Sequence, residues 1–403
     1  MAEIEKRTSY WWQREDLQYI NSKLFFSDVS LQDIYHAHGT PCFVYSKRRI
    51  ANNISRIQQS LDSTGLDSQV LYAMKANRNK ELLTFLASET TCGIDACSPA
   101  EVELAISCGF KQDYISVTTT AASTQDWKVY KKYPDIIFNC DSIASINRII
   151  NNSFRTSIGI RINPCIGVGY GDNELLHYSG TVPTKFGIYE NRLEDALELA
   201  RNAGIKVKGI HMHAGSGFIK SGLEKYRLAL QKLRQYAERI DELEYVNIGG
   251  GLGIPLKADD EAVDLNEWAS IIYETLGSKK IKIYFEPGDH IVKDAGVLLS
   301  QVVEVEEKQD TIFVFVDSGF NILPEPAFYR LPCEPVPLVE DKDASKPKVT
   351  IAGNINEALD IFYSDFPLRV HQNDVIAFLN SGAYGASMSS NHCLRSTFKE
   401  ILI

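Results

Sequence analysis

Short apolar runs alternate with amphipathic stretches along the chain from about residue 70 to 290. The runs are rich in β-branched and aromatic residues. Several of the stretches between them open with Ser or Asn and close at Gly, which are common helix caps. Eight strands that alternate with helices predict a (β/α)8 barrel, also called a TIM-type barrel. The eight runs are 69–76, 91–97, 114–118, 135–141, 157–163, 207–215, 245–251 and 281–288.

The pattern changes after residue 290, where β-rich runs such as VLLSQVVEVEE and TIFVFVDSG are joined by polar or Pro-rich connections. This pattern predicts an all-β domain. Residues 24–30 predict one more strand for that domain, and 43–61 predict a strand and a helix leading into the barrel. We therefore expect an N-terminal segment of the β domain at 1–40, the barrel at 41–293 and the C-terminal β domain at 294–403.

Composition and charge exclude several classes of function. The 403 residues are 44% hydrophobic and 23% charged, and the net charge of -10 argues against nucleic acid or an anionic membrane as partner. The chain has no apolar run of about 18 residues that would predict a membrane span, and its N-terminus lacks the apolar core of a signal peptide. The eight cysteines show no CxxC spacing and are interpreted as free thiols. We expect a cytoplasmic protein.

Reactive side chains are concentrated at the C-terminal ends of the predicted barrel strands, where such barrels place their chemistry. A lysine in this position can bind an aldehyde covalently, and a glycine run lets backbone N–H groups approach a phosphate. Together with a strand-end carboxylate, these features point to pyridoxal 5′-phosphate (PLP) as the cofactor. The strand-end residues are Lys75, Asp95, Arg161, His211, His213, Gly249, Gly250, Gly251 and Glu286.

Each of these features also has a simpler interpretation. Lys75 alone could be a surface lysine. His211 and His213 share a strand face and could bind a metal, or one of them could be a core residue. We expect no metal because no third ligand stands at close spacing. The GGGLG run could be a plain tight turn, and it does not match the G-x-G-x-x-G pattern of dinucleotide sites.

Several motifs resemble those of the fold-type III PLP-dependent decarboxylases, the family of diaminopimelate, ornithine and arginine decarboxylases. The resemblance implies an alanine-racemase-like barrel, PLP as cofactor and decarboxylation of an amino acid. The motifs are YAMKAN (72–77), GIDACSPAEV (93–102), TKFG (184–187), HMHAGSG (211–217), NIGGGLGI (247–254), EPG (286–288) and GAYGASM (382–388).

The resemblance implies a role for each matching residue. Lys75 would bind the aldehyde of the cofactor and His213 would stack on its ring, while Glu286 would face the ring nitrogen. Active sites of the family are completed across a two-fold interface, which implies a homodimer with the loop 356–360 donated by the partner. Further cofactor contacts would come from Asp95, Arg161, Ser216, Gly249, Gly250, Gly251, Gly288 and Tyr384.

Three positions depart from the family pattern. Asp289 and Glu325 stand where relatives have arginine, and Asn356 stands where they have a cysteine that protonates the product. Like charges repel in a partly desolvated site, so we expect a substrate with a cationic or polar distal group and not meso-diaminopimelate. The simpler alternative is that these acids face solvent or pair with Lys293 or Arg330. The expected substrate contacts are Asp289, Glu325, Tyr329, Glu357 and Asp360.

Three functions fit these observations. A PLP-dependent amino-acid decarboxylase leads, because the motifs span nearly the whole chain. The expected catalytic residues are Lys75, His213 and Asn356. A racemase, epimerase or lyase with the same cofactor is the alternative function, because the amide of Asn356 is a poor general acid. A non-catalytic regulatory relative is the third.

Overall fold

The computed structural model describes residues 10–403 apart from Phe154, Thr181, Lys279 and Ala344. It divides into two compact units, which we call the sheet unit and the barrel unit. The sheet unit contains the described residues up to Arg49 together with Pro255–Asp260 and Asp294–Ile403. The barrel unit contains Ile50–Ile254 and Glu261–Lys293.

The sheet unit begins with a small antiparallel sheet and a helix. The Ser30 side chain accepts a hydrogen bond from the Asp33 N–H and thereby caps the helix. Ser27 and Asp28 both have positive φ, so a turn interrupts the single strand predicted at 24–30. The elements are β1 (Leu17–Ile20), β2 (Lys23–Phe26), β3 (Val29–Ser30), α1 (Leu31–His38), β4 (Cys42–Tyr45) and α2 (Lys47–Asp62), the last of which continues into the barrel unit.

Eight parallel strands close into a barrel, which confirms the predicted fold class. The strands are β5 (Ser68–Ala73), β6 (Gly93–Ala96), β7 (Ile115–Thr119), β8 (Ile137–Cys140), β9 (Ser157–Arg161), β10 (Lys206–His211), β11 (Tyr245–Asn247) and β12 (Lys282–Phe285). The helices are α3 (Lys80–Glu89), α4 (Pro99–Ser107), α5 (Thr124–Tyr130), α6 (Ile143–Asn152), α7 (Glu190–Asn202), α8 (Leu223–Ala237), α9 (Leu265–Leu276) and α10 (Asp289–Val292).

The register of the barrel strands places the predicted strand-end residues around one rim. Asp95 pairs with Ala73, two positions before Lys75. His211 pairs with Arg161 on one side and with Asn247 on the other. Since the strands are parallel, their C-terminal ends all meet at this rim.

The second part of the sheet unit is built around the long strand β13, which pairs with β4 and β18 through its first half and with β14 through its second. The order is β15-β18-β13-β14-β16-β17, and β19 joins through β4. The elements are β13 (Gly296–Lys308), β14 (Thr311–Val316), α11 (Glu325–Tyr329), β15 (Pro335–Pro337), β16 (Lys348–Ala352), β17 (Ile361–Pro367), β18 (Val375–Phe378) and β19 (Lys399–Leu402).

Both faces of this sheet are covered by apolar side chains. Phe43, Leu298 and Ile376 belong to one buried cluster. Their chain neighbours Val44 and Val297 belong to a second cluster on the other face. Successive residues of a strand point to opposite faces, so these strands are apolar on both sides and read as continuous runs.

The position of β4 differs from the sequence prediction. Residues 43–45 were expected to lead into the barrel, but β4 pairs with β13 in the sheet unit, with Phe43 opposite Leu298. The boundary between the sheet unit and the barrel unit accordingly falls after Arg49 rather than at residue 40. Residues 1–9 of the predicted N-terminal segment lie outside the described residues, and the exact bounds of the domains stay a prediction. None of the described helices combines the length and apolar character needed to cross a membrane.

Glu334, directly before β15, is expected to lower the stability of the protein as the pH rises. Burial raises its pKa from 4.5 to about 7, although a hydrogen bond from Trp11 opposes the shift. Between these two values the folded state holds a proton that the unfolded chain has released. The associated stability is present below about pH 4.5 and is lost as the pH rises to about 7.

The substitution Glu334→Gln tests this expectation, because it removes the charge and keeps an acceptor for Trp11. We expect it to raise the free energy of unfolding by about 1–2 kcal/mol at pH 8 and to change it little at pH 4. Urea unfolding at both pH values measures the effect, and Glu307→Gln on an exposed part of β13 is the control. An equal effect of Glu334→Gln at both pH values would contradict the expectation.

Candidate active site

Glu286, the first residue after β12, lies at the centre of a buried hydrogen-bond network. Its Oε1 accepts from Ser116 Oγ at 3.1 Å and from the Asn247 side-chain amide. Its Oε2 lies 2.9 Å from His211 Nε2. Burial would raise the pKa of Glu286, but His211, Asn247 and the positive charge of Lys75 outweigh burial and lower it. Glu286 is therefore an ionised carboxylate at neutral pH.

A second layer of side chains holds this network in place. Asn139 on β8 donates to Ser116 Oγ and to Thr118 Oγ1, each at 3.1 Å. Tyr245 on β11 donates to Asn139 Oδ1 at 2.9 Å. All of these groups are buried inside the barrel, so the donor set around Glu286 is rigid.

Asp95, at the same rim, is shifted in the direction opposite to Glu286. Its pKa is raised well above the usual range by burial and by the charge of Glu286, although Lys75 opposes the shift. Two carboxyl groups close together in a buried site cannot both ionise freely. Of the two, Glu286 is the one whose ionised form the site stabilises.

Lys75 lies two residues beyond β5 and is half-buried. Its pKa is raised, chiefly by electrostatic interaction with Cys97 and further by Asp95, although burial opposes the shift. Burial raises the pKa of the Cys97 thiol to about 12, so it holds its proton at neutral pH. The ionised Glu286 contributes to the same upward shift of Lys75.

The two histidines of HMHAGSG have different surroundings. His211 is the last residue of β10 and faces Glu286, with an exposed fraction of 2%. His213 lies beyond the strand, where its Nδ1 accepts the Gly250 N–H at 3.3 Å and its ring centroid lies 4.8 Å from that of Tyr178. Burial and the charge of Lys75 lower the pKa of His213 well below its usual range, so its imidazole is neutral.

The glycine run after β11 is required by close packing of the backbone. A Cβ on Gly250 would lie 2.0 Å from the carbonyl oxygen of Glu286, and Gly249 has a φ of +67°. The Glu286 N–H donates to Gly249 O at 2.8 Å, which ties the glycine turn to the strand-end carboxylate. Ser216, half-buried in the turn after β10, is anchored through its backbone N–H to Leu176 O at 3.0 Å.

Arg161 ends β9 at the level of His211, and its guanidinium is already engaged. It donates to Asp141 Oδ1 at 3.0 Å and lies 4.5 Å from the centre of the Phe186 ring. Asp141 also accepts the Gly187 N–H at 3.0 Å. Arg161 therefore holds the TKFG segment against the rim in addition to lining it.

Asp289 begins α10 after Gly288, and it is buried rather than solvent-facing. Its Oδ1 lies 3.4 Å from Lys293 Nζ, with exposed side-chain fractions of 8% and 3% respectively. This is the pairing that the simpler interpretation of the sequence anticipated. The negative charge at Asp289 is thus offset locally within the barrel unit.

In the sheet unit, the loop 356–360 presents two polar side chains and uses a third to hold itself. Asn356 and Glu357 are exposed, and Glu357 lies 3.3 Å from His392. Asp360 is buried, and its two oxygens accept the Phe320 and Ile355 N–H groups at 2.7 Å each. Both oxygens serve the loop, which favours a structural role for Asp360 over the predicted substrate contact.

The remaining predicted residues also lie in the sheet unit. Glu325 is the first residue of α11 and is 6% exposed, whereas Tyr329 at the end of the same helix is half-buried. Tyr384 is half-buried with a φ of 56°, which an L-residue rarely adopts and which fixes the direction of its side chain.

Sequence reasoning missed several residues of the barrel interior. Ser116, Asn139 and Asn247 lie inside runs that were interpreted only as apolar strands. A polar residue in the middle of such a run was the available signal, because a buried polar group needs a partner. Asp141, at the end of the run 135–141, was missed because that run was also interpreted only as an apolar strand. Among the described residues, no group of three or more His, Cys, Asp or Glu side chains could hold a metal ion.

Comparison with known proteins identifies the family. A family model described as the pyridoxal binding domain of pyridoxal-dependent decarboxylases matches residues 47–293. The chain belongs to this family. The diaminopimelate decarboxylase of Methanothermobacter thermautotrophicus is 32% identical over 93% of this chain and 88% of its own length. That of Aquifex aeolicus is 30% identical over 96% of this chain and 92% of its own.

Solved structures agree with this assignment. Diaminopimelate decarboxylase from Helicobacter pylori, complexed with L-lysine, has a TM-score of 0.85 and 26% identity, covering 93% of this chain and 94% of its own. The arginine decarboxylase of Paramecium bursaria Chlorella virus has a TM-score of 0.81 and 20% identity, covering 93% and 99%, and supports the fold. The protein is a PLP-dependent amino-acid decarboxylase, as the sequence predicted.

The expectation that meso-diaminopimelate is not the substrate receives no support from these relatives, which are diaminopimelate decarboxylases. That expectation depended on charge repulsion at Asp289 and Glu325. At Asp289 the adjacent Lys293 supplies the opposite charge, so the repulsion is weaker than the sequence alone indicated.

The barrel unit fits PLP as its cofactor. Asp95 Oδ1 and His211 Nδ1 are buried and have no hydrogen-bond partner among the described residues, so the rim holds polar capacity beyond its own network. Glu286 accepts three hydrogen bonds, and a carboxylate can accept about four. The glycine turn and the rim lysine supply the other two elements that this cofactor requires.

Proposed function

We propose that this protein removes the α-carboxyl group of an amino acid that carries a distal amino group or another cationic group. The observation that carries the substrate class is the presence of buried acids, Asp289 and Glu325, where the family resemblance expects arginines. An arginine at either position would attract a distal carboxylate, whereas an acid there favours a distal cation. Two solved diaminopimelate decarboxylases are complexed with L-lysine, an amino acid of this kind.

The barrel residues have separate roles in this proposal. Lys75 would bind the aldehyde carbon of PLP, and the N–H groups of the turn 249–251 would hold its phosphate together with Ser216. Glu286 would face the ring nitrogen and keep it protonated, because Glu286 is ionised at neutral pH. His213, a neutral imidazole, would cover one face of the ring. When bound, PLP supplies an electron-poor ring that stabilises negative charge developing at the α-carbon of the substrate.

The donor set around Glu286 has a specific consequence for catalysis. Ser116, Asn247 and His211 stabilise the carboxylate form and orient it, so that no reorganisation is required during the reaction. The pKa of Asp95 beside it is raised by burial and by the charge of Glu286, so Asp95 favours its neutral form more than an ordinary aspartate does. The rim therefore holds the ionised Glu286 at a defined position, where it would face the ring nitrogen of PLP.

Assays of CO2 release across a panel of amino acids test the substrate class. The panel comprises L-lysine, L-ornithine, L-arginine, meso-diaminopimelate and L-glutamate. We expect the kcat/KM of the preferred basic substrate to exceed that of L-glutamate by about 100-fold, because a misplaced charge costs about 3 kcal/mol. Comparable turnover of L-glutamate would contradict the proposal.

A second candidate is meso-diaminopimelate itself, which carries both an amino and a carboxyl group at its distal end. The Asp289–Lys293 contact favours it, because that pair presents one group of each sign. The same panel separates the two candidates. A kcat/KM for meso-diaminopimelate about tenfold or more above that of every other substrate would select it.

The homodimer implied by the family resemblance stays a prediction. In its support, Leu359 in the loop 356–360 and the nearby Phe328 are exposed, at 45% and 50% respectively. Exposed large apolar side chains next to functional polar ones are typical of an interface between subunits.

A further inference from the structure

Cys97 lies beside Lys75 at the rim of the barrel. Strand β6 ends at Ala96 and strand β5 at Ala73, and their register pairs Ala73 with Asp95. The Met74 N–H donates to Asp95 O at 3.2 Å, so the two chains continue side by side beyond the strands. Lys75 and Cys97 lie two positions further along their chains and are close enough to interact electrostatically. The Cys97 N–H donates to Glu101 Oε2 at 2.6 Å, which fixes the backbone at Cys97.

Cys97 is a thiol at neutral pH and is accessible from the rim. Burial raises its pKa to about 12, although Lys75 opposes the shift. Its residue is half-buried, whereas most of the other cysteines in the barrel unit are buried.

A second observation points to a ligand at the same place. Asp95 lies on β6, and Cys97 is the first residue beyond that strand, at the same rim of the barrel. Asp95 is 4% exposed, and its Oδ1 has no hydrogen-bond partner in the described part of the chain. A buried polar oxygen without a partner, beside a lysine and a thiol, indicates that a polar ligand group belongs there.

Decarboxylation requires a proton at the α-carbon after CO2 leaves, and few groups can supply it. Glu286 is ionised and His213 is neutral, so neither holds a transferable proton of the right kind. Asp95 is enclosed. The amide of Asn356 has no useful acidity. Cys97, like the Lys75 ammonium beside it, has both a proton and access to the rim.

We propose that Cys97 is a catalytic residue that donates the proton replacing the carboxyl group on the substrate's α-carbon. The inference rests on the proposed function. The bond between the α-carbon and the carboxyl carbon breaks, its electron pair remains with the α-carbon, and the Cys97 proton forms the new C–H bond. The thiolate left beside the Lys75 ammonium regains a proton from solvent. Each turnover thus consumes one proton and releases one CO2.

The test compares holoenzymes carrying Cys97→Ala, Cys97→Ser and Cys92→Ala. Cys92 directly precedes the same strand and is 4% exposed at its opposite end, so it is a matched control. We expect kcat for CO2 release to fall about 100-fold in Cys97→Ala and somewhat less in Cys97→Ser. In Cys97→Ala, the fraction of turnovers that convert the cofactor to pyridoxamine phosphate should rise by about fivefold or more. Cys92→Ala should leave both quantities unchanged.

Equilibrium binding of PLP to the apoproteins separates catalysis from structure. We expect the dissociation constants of all three variants to stay within about twofold of the wild type. Introducing Asn356→Cys into the Cys97→Ala protein should restore part of kcat if a thiol proton is what was lost. The inference would be overturned if Cys97→Ala kept the wild-type kcat and the wild-type fraction of turnovers that form pyridoxamine phosphate. A loss of PLP binding that accounts for the lower kcat would also overturn it.

The same experiment distinguishes this inference from the proposed function. Wild-type release of CO2 together with an unchanged Cys97→Ala enzyme overturns the role of Cys97 alone. Absence of CO2 release by the wild type from every amino acid of the panel overturns the proposed function and this inference with it.

Discussion

Replacing Lys75 with alanine is expected to abolish covalent attachment of PLP and to lower CO2 release by at least about 1,000-fold. The primary amine is the group that binds the aldehyde, and the described rim holds no second lysine beside it at the end of a barrel strand. Loss of the amine also removes the cation that faces Glu286. The absorbance of the lysine-bound cofactor, together with CO2 release, measures the result.

The control for this prediction is Lys80→Ala. Lys80 begins α3, is exposed and lies only five positions along the chain. We expect it to retain the cofactor absorbance and the wild-type rate. A Lys75→Ala protein that keeps the absorbance band of the lysine-bound cofactor would show that another amine holds PLP, and the assignment of Lys75 would then be wrong.

Glu286→Gln is expected to lower CO2 release by about 100-fold while PLP remains bound. The amide keeps the shape of the side chain but cannot sustain a positive charge on the ring nitrogen. Two of the donors around it, Asn247 and Ser116, would also face an amide where they now meet a carboxylate. Steady-state kinetics and PLP binding measured on the same preparation separate the rate from cofactor affinity.

The dependence on pH follows from the same contacts. The folded protein holds the pKa of Glu286 below its ordinary value of 4.5, so the carboxylate contributes stability above that pH and loses it as the pH falls through the lowered value. We therefore expect no loss of this charge near pH 7. Ser116→Ala, which removes one donor and keeps the charge, should lower CO2 release by only about tenfold or less. Equal effects of Glu286→Gln and Ser116→Ala would contradict the role assigned to the charge.

The contact between Asp289 and Lys293 changes how the family departures are understood. Because Asp289 and Glu325 stand where relatives have arginine, the sequence suggested a site that repels carboxylates. The structure shows one of those acids buried against a lysine that lies one helical turn further on, at i+4. The charge reversal at residue 289 is thus compensated within a few residues, which agrees with relatives that act on diaminopimelate.

Asp360 illustrates the limit of transferring roles by motif. The resemblance predicted that it contacts the substrate, which stays a prediction, whereas in the structure its side chain accepts hydrogen bonds from the Phe320 and Ile355 N–H groups. Removing a buried acceptor leaves such N–H groups without partners, which costs about 1–3 kcal/mol each. A residue retained in a motif can therefore hold the loop that carries the reactive group rather than contact the ligand.

The sequence by itself determined the barrel and the cofactor, and it predicted the reactive residues at the rim. Those features depend on local patterns: the alternation of strands and helices, the caps, and the reactive residues at the ends of strands. Only the tertiary structure decided which side chains at the rim form hydrogen bonds with one another. Ser116 and Glu286 are 170 positions apart, and His211 and Glu286 are 75 apart. Such contacts follow from strand register and barrel closure, which no local pattern encodes, so the donors around Glu286 and the thiol beside Lys75 emerged only from the folded chain.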